Sequence, residues 1–167
     1  MRDPLVQIRN AEVGEVGRLA RLWYDSWHDA HATIVPVELP RLRTVERLAE
    51  RLAAMLPGVR VVDLSREPAG LCAIKDDELY LLYLSAKARG SGVAAALLAD
   101  AETRLSQGGV EVAWLACAIG NDRAARFYEK WGWHRVGTEV KQLDTPNGSF
   151  PLEVWRYEKR LHRRSPV

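Results

Sequence analysis

The sequence predicts a mixed α/β fold: one central sheet of about seven strands with helices on both faces. The first observation is the order of patterns along the chain. It reads strand, helix, helix, three strands, helix, strand, helix, then two strands. The second is a strand–helix–strand unit set inside an otherwise antiparallel meander, which requires both strand directions in one sheet. The third is composition. With 47% apolar and 28% charged residues, 167 positions supply one sizeable core, and a single domain over 1–167 is expected.

Each element has its own signal. "LVQIR" (5–9) alternates weakly and reads as the first strand. "VGEVGRLARLWYDSWHDAH" carries Val16, Leu19, Ala20, Trp23, Trp27 and Ala30 on one stripe, a helix despite two glycines at its start. "ATIVPVELPRLR" (32–43) has two prolines and no period, so it is expected to be a loop. Thr44 is placed to cap "TVERLAERLAAML", with Val45, Leu48, Leu52 and Met55 as its stripe and Pro57–Gly58 as its stop. "VRVVDL", "GLCAIK" and "ELYLLYLS", joined by "SREPA" and "DD", form an antiparallel meander. "VAAALLADAETRLSQ" is a strong helix former closed by Gly108–Gly109. "VEVAWLACAI" is expected to be a strand buried on both faces, and "NDRAARFYEKWG" a short amphipathic helix. "WHRVGTEVKQL" and "SFPLEVWRYEKRL" flank the turn "DTPNG" as a hairpin. Four helices result.

Composition excludes several function classes. A net charge of +2 is too small to indicate nucleic acid, and the terminal "KRLHRR" reads as a solvated tail. Cys72 and Cys117 lie inside apolar runs, so they read as buried thiols rather than a disulfide or a zinc site. No stretch reaches the roughly 18 apolar residues of a membrane span, and "MRDPLVQIRN" lacks a signal-peptide core. A cytoplasmic protein without membrane or nucleic-acid partners is expected; a homodimer stays open.

The chemistry concentrates at "SAKARGSGVAAALL". Gly90 and Gly92 sit where a strand turns into a helix, leaving several backbone N–H groups without intrahelical partners at the positive end of the dipole. With side chains absent, a phosphate or pyrophosphate can approach, and Lys87 and Arg89 add charge. A plain tight turn fits the same two glycines. No "GK[ST]" follows, so this is no P-loop, and Ala95 stands where a dinucleotide fingerprint needs its third glycine. Further on, Asn121 is a candidate helix cap, Ala124–Ala125 allow close approach, and Tyr128 follows one and a half turns later. As an isolated residue, Tyr128 also fits a half-buried packing aromatic.

Together, "KARGSGVAAALL" and "NDRAARFYEKWGW" resemble the two sequence motifs of the GNAT superfamily of acyl-CoA-dependent N-acetyltransferases. The first follows the pattern Gln/Arg, two residues, Gly, one residue, Gly/Ala, with Lys87 at the Gln/Arg position. A lysine there supplies charge without arginine's bidentate fork. The second matches at Asn, Ala, Phe-Tyr and Gly-Phe, with Trp133 in place of phenylalanine. The order of elements agrees over nearly the whole chain.

The resemblance implies a GNAT-like sheet whose fourth and fifth strands are parallel and splay apart to admit acetyl-CoA as cosubstrate. It implies that amides from Arg89 through Gly90, Ser91, Gly92 and Val93 to Ala94 hold the pyrophosphate. The backbone of Leu82, Tyr83 and Leu84 would run beside the pantetheine, Asn121 would contact its amides with Ala124 close by, and Tyr128 would face the sulfur. The implied activity moves an acetyl group directly to a primary amine in a ternary complex. Tyr128 fits the acid that protonates the departing thiolate, and an amide within 82–84 fits the oxyanion donor. Glu78, opening the fourth strand, is the candidate base, with Tyr80 and Leu82 on its face by alternation. Tyr24, His28 and His31 share a face of the first helix and, with Trp27 and Tyr80, are candidates for the acceptor pocket. Histidines at i, i+3 without a placed carboxylate or cysteine predict no metal site. The aromatic residues favour a small-molecule amine; a protein amine, and a non-catalytic acyl-CoA-binding module, are the alternatives.

Overall fold

A computed structural model describes residues 6–162. Leu5 of the expected first strand and the last two arginines of "KRLHRR" lie outside that range. Seven strands form one sheet: β1 (Val6–Asn10), β2 (Val59–Leu64), β3 (Glu67–Lys75), β4 (Glu78–Leu84), β5 (Val112–Ala118), β6 (His134–Thr145) and β7 (Gly148–Arg160). Their order across the sheet is β1-β2-β3-β4-β5-β7-β6, and every pair is antiparallel except β4 with β5. The expected mixed sheet is therefore present, with its parallel pair at the expected position.

Five α-helices flank it: α1 (Val16–His31), α2 (Glu38–Leu42), α3 (Val45–Ala54), α4 (Val93–Gln107) and α5 (Asp122–Lys130). The fifth, unexpected one is α2, a short helix inside the proline-rich segment. Pro40 falls in its interior, but a five-residue helix has few i−4 hydrogen bonds for a proline to break. Gly14 lies in a 3₁₀ turn, so α1 begins only at Val16. The Thr44 hydroxyl accepts from Arg47 N at 3.2 Å and caps α3, as its position predicts.

Two cores lie on opposite faces of the sheet. Leu97, Leu98, Ala101 and Leu105 of α4 pack with Ala125 and Tyr128 of α5 over one face. Trp23 and Trp27 of α1 with Leu48 and Leu52 of α3 pack over the other. Both cysteines are free and buried, and Trp133 is fully buried with its indole N–H donating to Glu102.

Three expectations are corrected. The β2–β3 turn is only Ser65–Arg66, both at positive φ, so β3 starts at Glu67 and takes in Pro68 next to a bulge. β5 is buried mainly on one face: Ala113, Leu115 and Cys117 face the α4 side, while on the other Val112 is exposed, Trp114 and Ala116 are half-buried, and Ala118 alone is buried. A bulge in β4 matters most. Ala73 pairs with Leu81 but Ile74 pairs with Leu79, so Tyr80 is an extra residue and the side-chain alternation reverses there. Leu79, Leu82 and Leu84 consequently face α4, whereas Tyr80, Leu81 and Tyr83 face α1 and α3. Leu82 does not share the face of Tyr80.

Candidate active site

β4 and β5 begin together and then separate. Glu78 pairs with Trp114, whose amide donates to Asp77 O at 3.2 Å, and no further pair follows. Ser85 N donates to Ala69 O, so alternation turns the backbone of Tyr83 toward β3 and that of Leu82 and Leu84 toward the open edge. Tyr83's backbone, expected beside a pantetheine, is thus turned away from the gap, while the backbones of Leu82 and Leu84 face it. Leu84 O already accepts from Ser26 Oγ at 2.7 Å, which leaves the N–H groups of both residues and Leu82 O.

Three adjoining cavities follow the gap. A groove of about 270 Å³ runs from Gly90 and Ala94 past Asn121 and Ala124 to Tyr128. It shares Leu82, Tyr83 and Tyr128 with a cavity of about 70 Å³ between the strands. That one shares His31, Tyr80 and Tyr83 with a cavity of about 80 Å³ on the α1/α3 face. Cavities thus lie on both faces of the sheet and between its strands where the parallel pair parts. A larger depression of about 670 Å³ along α4 shares no residue with the groove and adjoins His162, at the edge of the described residues.

The glycine turn opens the groove. Gly90 and Gly92 take φ of +77° and +85°, and a Cβ at either would meet nothing within 4 Å. Their conformation favours glycine, and the space beside them is clear. The first intrahelical bond is Ala96 N to Gly92 O. Among the described residues the amides of Gly90, Gly92, Val93 and Ala94 have no backbone partner, whereas Arg89 N and Ser91 N donate to Ala86 O and Ala88 O within the turn. The expected donor set is reduced by those two. No acidic side chain lies in the first turn of α4. Lys87 is exposed and does not line the groove; Arg89 does, and its guanidinium pairs with Asp29. Val93 points its side chain into the core.

Asn121 caps α5, its Oδ1 accepting from Ala124 N at 3.4 Å. Tyr128 is buried between Phe127, Trp133 and Tyr157, and burial pushes its phenol well above the usual tyrosine range. It lines both the groove and the inter-strand cavity and stays protonated throughout the physiological range. Cys117 beside it is pushed up to about 12, again by burial.

The expected acceptor face divides in two. His31 lines the cavities, with Trp27 beside it and Nδ1 2.8 Å from Trp27 O. A carbonyl only accepts, so Nδ1 carries the proton and Nε2 keeps its lone pair. Burial lowers this imidazole to about 4, and it is neutral at neutral pH. Tyr24 and His28 do not line these cavities. The His28 ring nitrogens lie 2.8 Å from Tyr24 O and 2.9 Å from Pro40 O, tying α1 to α2. Glu78 is corrected too. It is buried, its carboxylate accepts from Lys141 Nζ at 2.9 Å, and it is absent from the cavity walls because the strands are still paired at its level. Tyr80 does line the inner cavity, and its hydroxyl accepts from Arg51 Nη2.

Several lining residues had no role expected of them. Ser26, Arg123 and Phe127, the last within the second motif, line the groove; Arg43, Arg51 and Lys141 line the inner cavity. Arg123 had one readable signal: a cation in the first turn of α5 opposes the helix dipole and suits a bound anion. No group of three or more metal-ligating side chains occurs among the described residues, and no helix in them is long and apolar enough to cross a membrane.

A sheet parted between two parallel strands, with a glycine turn at a helix N-terminus facing the opening, has the architecture of an N-acyltransferase. Residues 41–144 match the family model of the acetyltransferase (GNAT) domain, and the chain belongs to that family. No curated protein matches the sequence. Among solved structures, the chain is similar to a GCN5-related N-acetyltransferase from Rhodopseudomonas palustris, at 18% identity and TM-score 0.76, covering 96% of this chain and 99% of that one. It is also similar to the PaiA N-acetyltransferase from Thermoplasma acidophilum, solved in complex with coenzyme A, at 20% identity and TM-score 0.71, with 93% and 98% covered. A ribosomal-protein-alanine N-acetyltransferase from Brucella melitensis matches at 18% identity and TM-score 0.71, with 93% and 99% covered. These likenesses establish the fold.

Proposed function

We propose that this acetyltransferase moves the acetyl group of acetyl-CoA directly to the primary amine of a small molecule, both held at once. The observation that carries this reading is the parted sheet: a groove on one face and a cavity on the other both reach the gap between the strands, and Tyr128 lines the groove and the space between the strands. An inner cavity of about 80 Å³ suits a small acceptor.

The residues fit the cosubstrate. The clear space beside Gly90 and Gly92, four unpartnered amides and the cations Arg89 and Arg123 suit a pyrophosphate. Leu82 and Leu84 offer an unpaired strand edge for pantetheine amides. Acetyl-CoA supplies an activated thioester. Leu82 N–H, turned to the gap, is the oxyanion donor, and Tyr128 O–H returns a proton to the thiolate.

Deprotonation needs no strong base here. Arg43, Arg51 and Lys141 around the cavity disfavour an ammonium and favour the neutral amine. His31 Nε2 accepts a hydrogen bond from that amine, aims it at the thioester, and takes the proton that becomes acidic after attack. Glu78 holds Lys141 in place.

Release of free thiol from acetyl-CoA, measured across a panel of amines, tests the activity. Intersecting initial-velocity lines are expected for direct transfer; parallel lines would show an acetylated enzyme and contradict it.

A further inference from the structure

The inner cavity holds more positive charge than the protein itself balances. Arg43, at the junction of α2 and α3, is only 6% exposed, and its Nε has no hydrogen-bond partner among the described residues. Its Nη1 reaches Asp144 O only at 3.5 Å. Arg51 of α3 gives Nη2 to the Tyr80 hydroxyl, and its Nη1 is likewise without a partner. Lys141 is matched by Glu78. The other nearby carboxylate, Asp144, is bonded to Arg47 at 2.7 Å. Two guanidinium groups therefore face this cavity with no carboxylate between them.

Aromatic faces compensate in part. Arg43 lies 5.1 Å above the Trp27 ring, and Arg51 lies 5.1 Å above Trp23. An arginine does not shed its proton to escape burial, so the charge and its unfilled donors persist. A desolvated cation with free N–H groups in a cavity is an anion site, because an anion supplies both the countercharge and the acceptors.

We infer that the acceptor amine carries an anionic group a few bonds from its nitrogen, held by Arg43 and Arg51 while the amine faces His31. This rests on the small-molecule reading above. A carboxylate matches the planar guanidinium fork and the small volume, which makes the substrate class short amino acids; a phosphate shares the chemistry. Polyamines and other purely cationic acceptors are disfavoured by the same two arginines.

The test has two arms, both on protein saturated with coenzyme A or acetyl-CoA. In the first, propionate and inorganic phosphate are titrated while melting temperature is followed. A saturable upward shift is expected, lost in Arg43→Gln and in Arg51→Gln; calorimetric coenzyme A affinity within twofold of wild type shows that each variant is folded. The stronger anion identifies carboxylate or phosphate. In the second, thiol release is compared for short amino acids, their carboxamides, aminoalkyl phosphates and plain alkylamines. At least tenfold higher kcat/KM for the anionic members is expected, falling to near parity in either variant, mostly through KM. Anion binding without turnover of any amine would support the anion site while sinking the small-molecule acetyltransferase reading. Equal use of amino acids and their carboxamides, or a preference for polyamines, would overturn the inference. So would the absence of any anion-dependent shift, or a shift and ranking unchanged in both variants.

Discussion

Tyr128 and His31 face each other's chemistry across the gap, and burial drives both to the uncharged form, the phenol up and the imidazole down to about 4. A protonated donor and an unprotonated acceptor are thus present together at neutral pH. Tyr128→Phe keeps the ring against Trp133 and Tyr157 and deletes only the hydroxyl. Single-turnover acetyl transfer is expected to slow by roughly 10²-fold, with coenzyme A affinity unchanged. His31 also leaves a mark on stability. Its folded value lies below the ordinary histidine value of 6.5, so the unfolded chain binds the extra proton between about 4 and 6.5. The stabilisation is complete above pH 6.5 and falls as pH drops through that window, by about 3 kcal/mol in all. Denaturant midpoints from pH 7 to 4.5 should show this slope in the native protein and a shallower one in His31→Gln; equal slopes would mean that the imidazole is not held neutral.

At the scale of elements, the glycine turn and the β4 bulge set the geometry, and they differ in how readily the sequence shows them. The turn is local. Two glycines before a helix former lie within a few residues of each other, and so do Asn121 and Tyr128, so both halves of the groove were legible. The bulge depends on how β4 pairs with β3, and nothing in "ELYLLYL" marks Tyr80 as the extra residue; simple alternation put Leu82 on the wrong face. Arg43 and Arg51 were invisible for a related reason. An arginine beside an amphipathic helix is ordinarily solvated, and only the fold of α2 and α3 against α1 lays these two over tryptophans, Arg43 buried and Arg51 half-buried. Gly90 tests the turn itself. Asparagine and aspartate both tolerate positive φ, so Gly90→Asn and Gly90→Asp share the backbone cost and differ in charge. By calorimetry, Gly90→Asp should lose at least tenfold more coenzyme A affinity than Gly90→Asn, since a carboxylate would lie at the phosphate position. Equal losses would leave the turn without an anion.

For the whole molecule, the decisive feature is a sheet joined across its middle by a single parallel bridge at Glu78 and Trp114. The β5-β7-β6 half is tied back to the rest by side chains, Lys141 to Glu78 and Asp144 to Arg47, rather than by further pairing at the gap. Such a sheet leaves its own hydrogen-bonding edge exposed between two cores, and a ligand that fills the opening completes it. The most direct measurement is therefore a structure of the acetyl-CoA complex. The expected result places the pyrophosphate on the amides of Gly90, Gly92, Val93 and Ala94, the pantetheine along Leu82 and Leu84, and the sulfur within about 3.5 Å of the Tyr128 hydroxyl, with the acetyl carbon open to His31. Acetyl-CoA bound away from the gap, or with its sulfur remote from Tyr128, would contradict transfer through the parted strands.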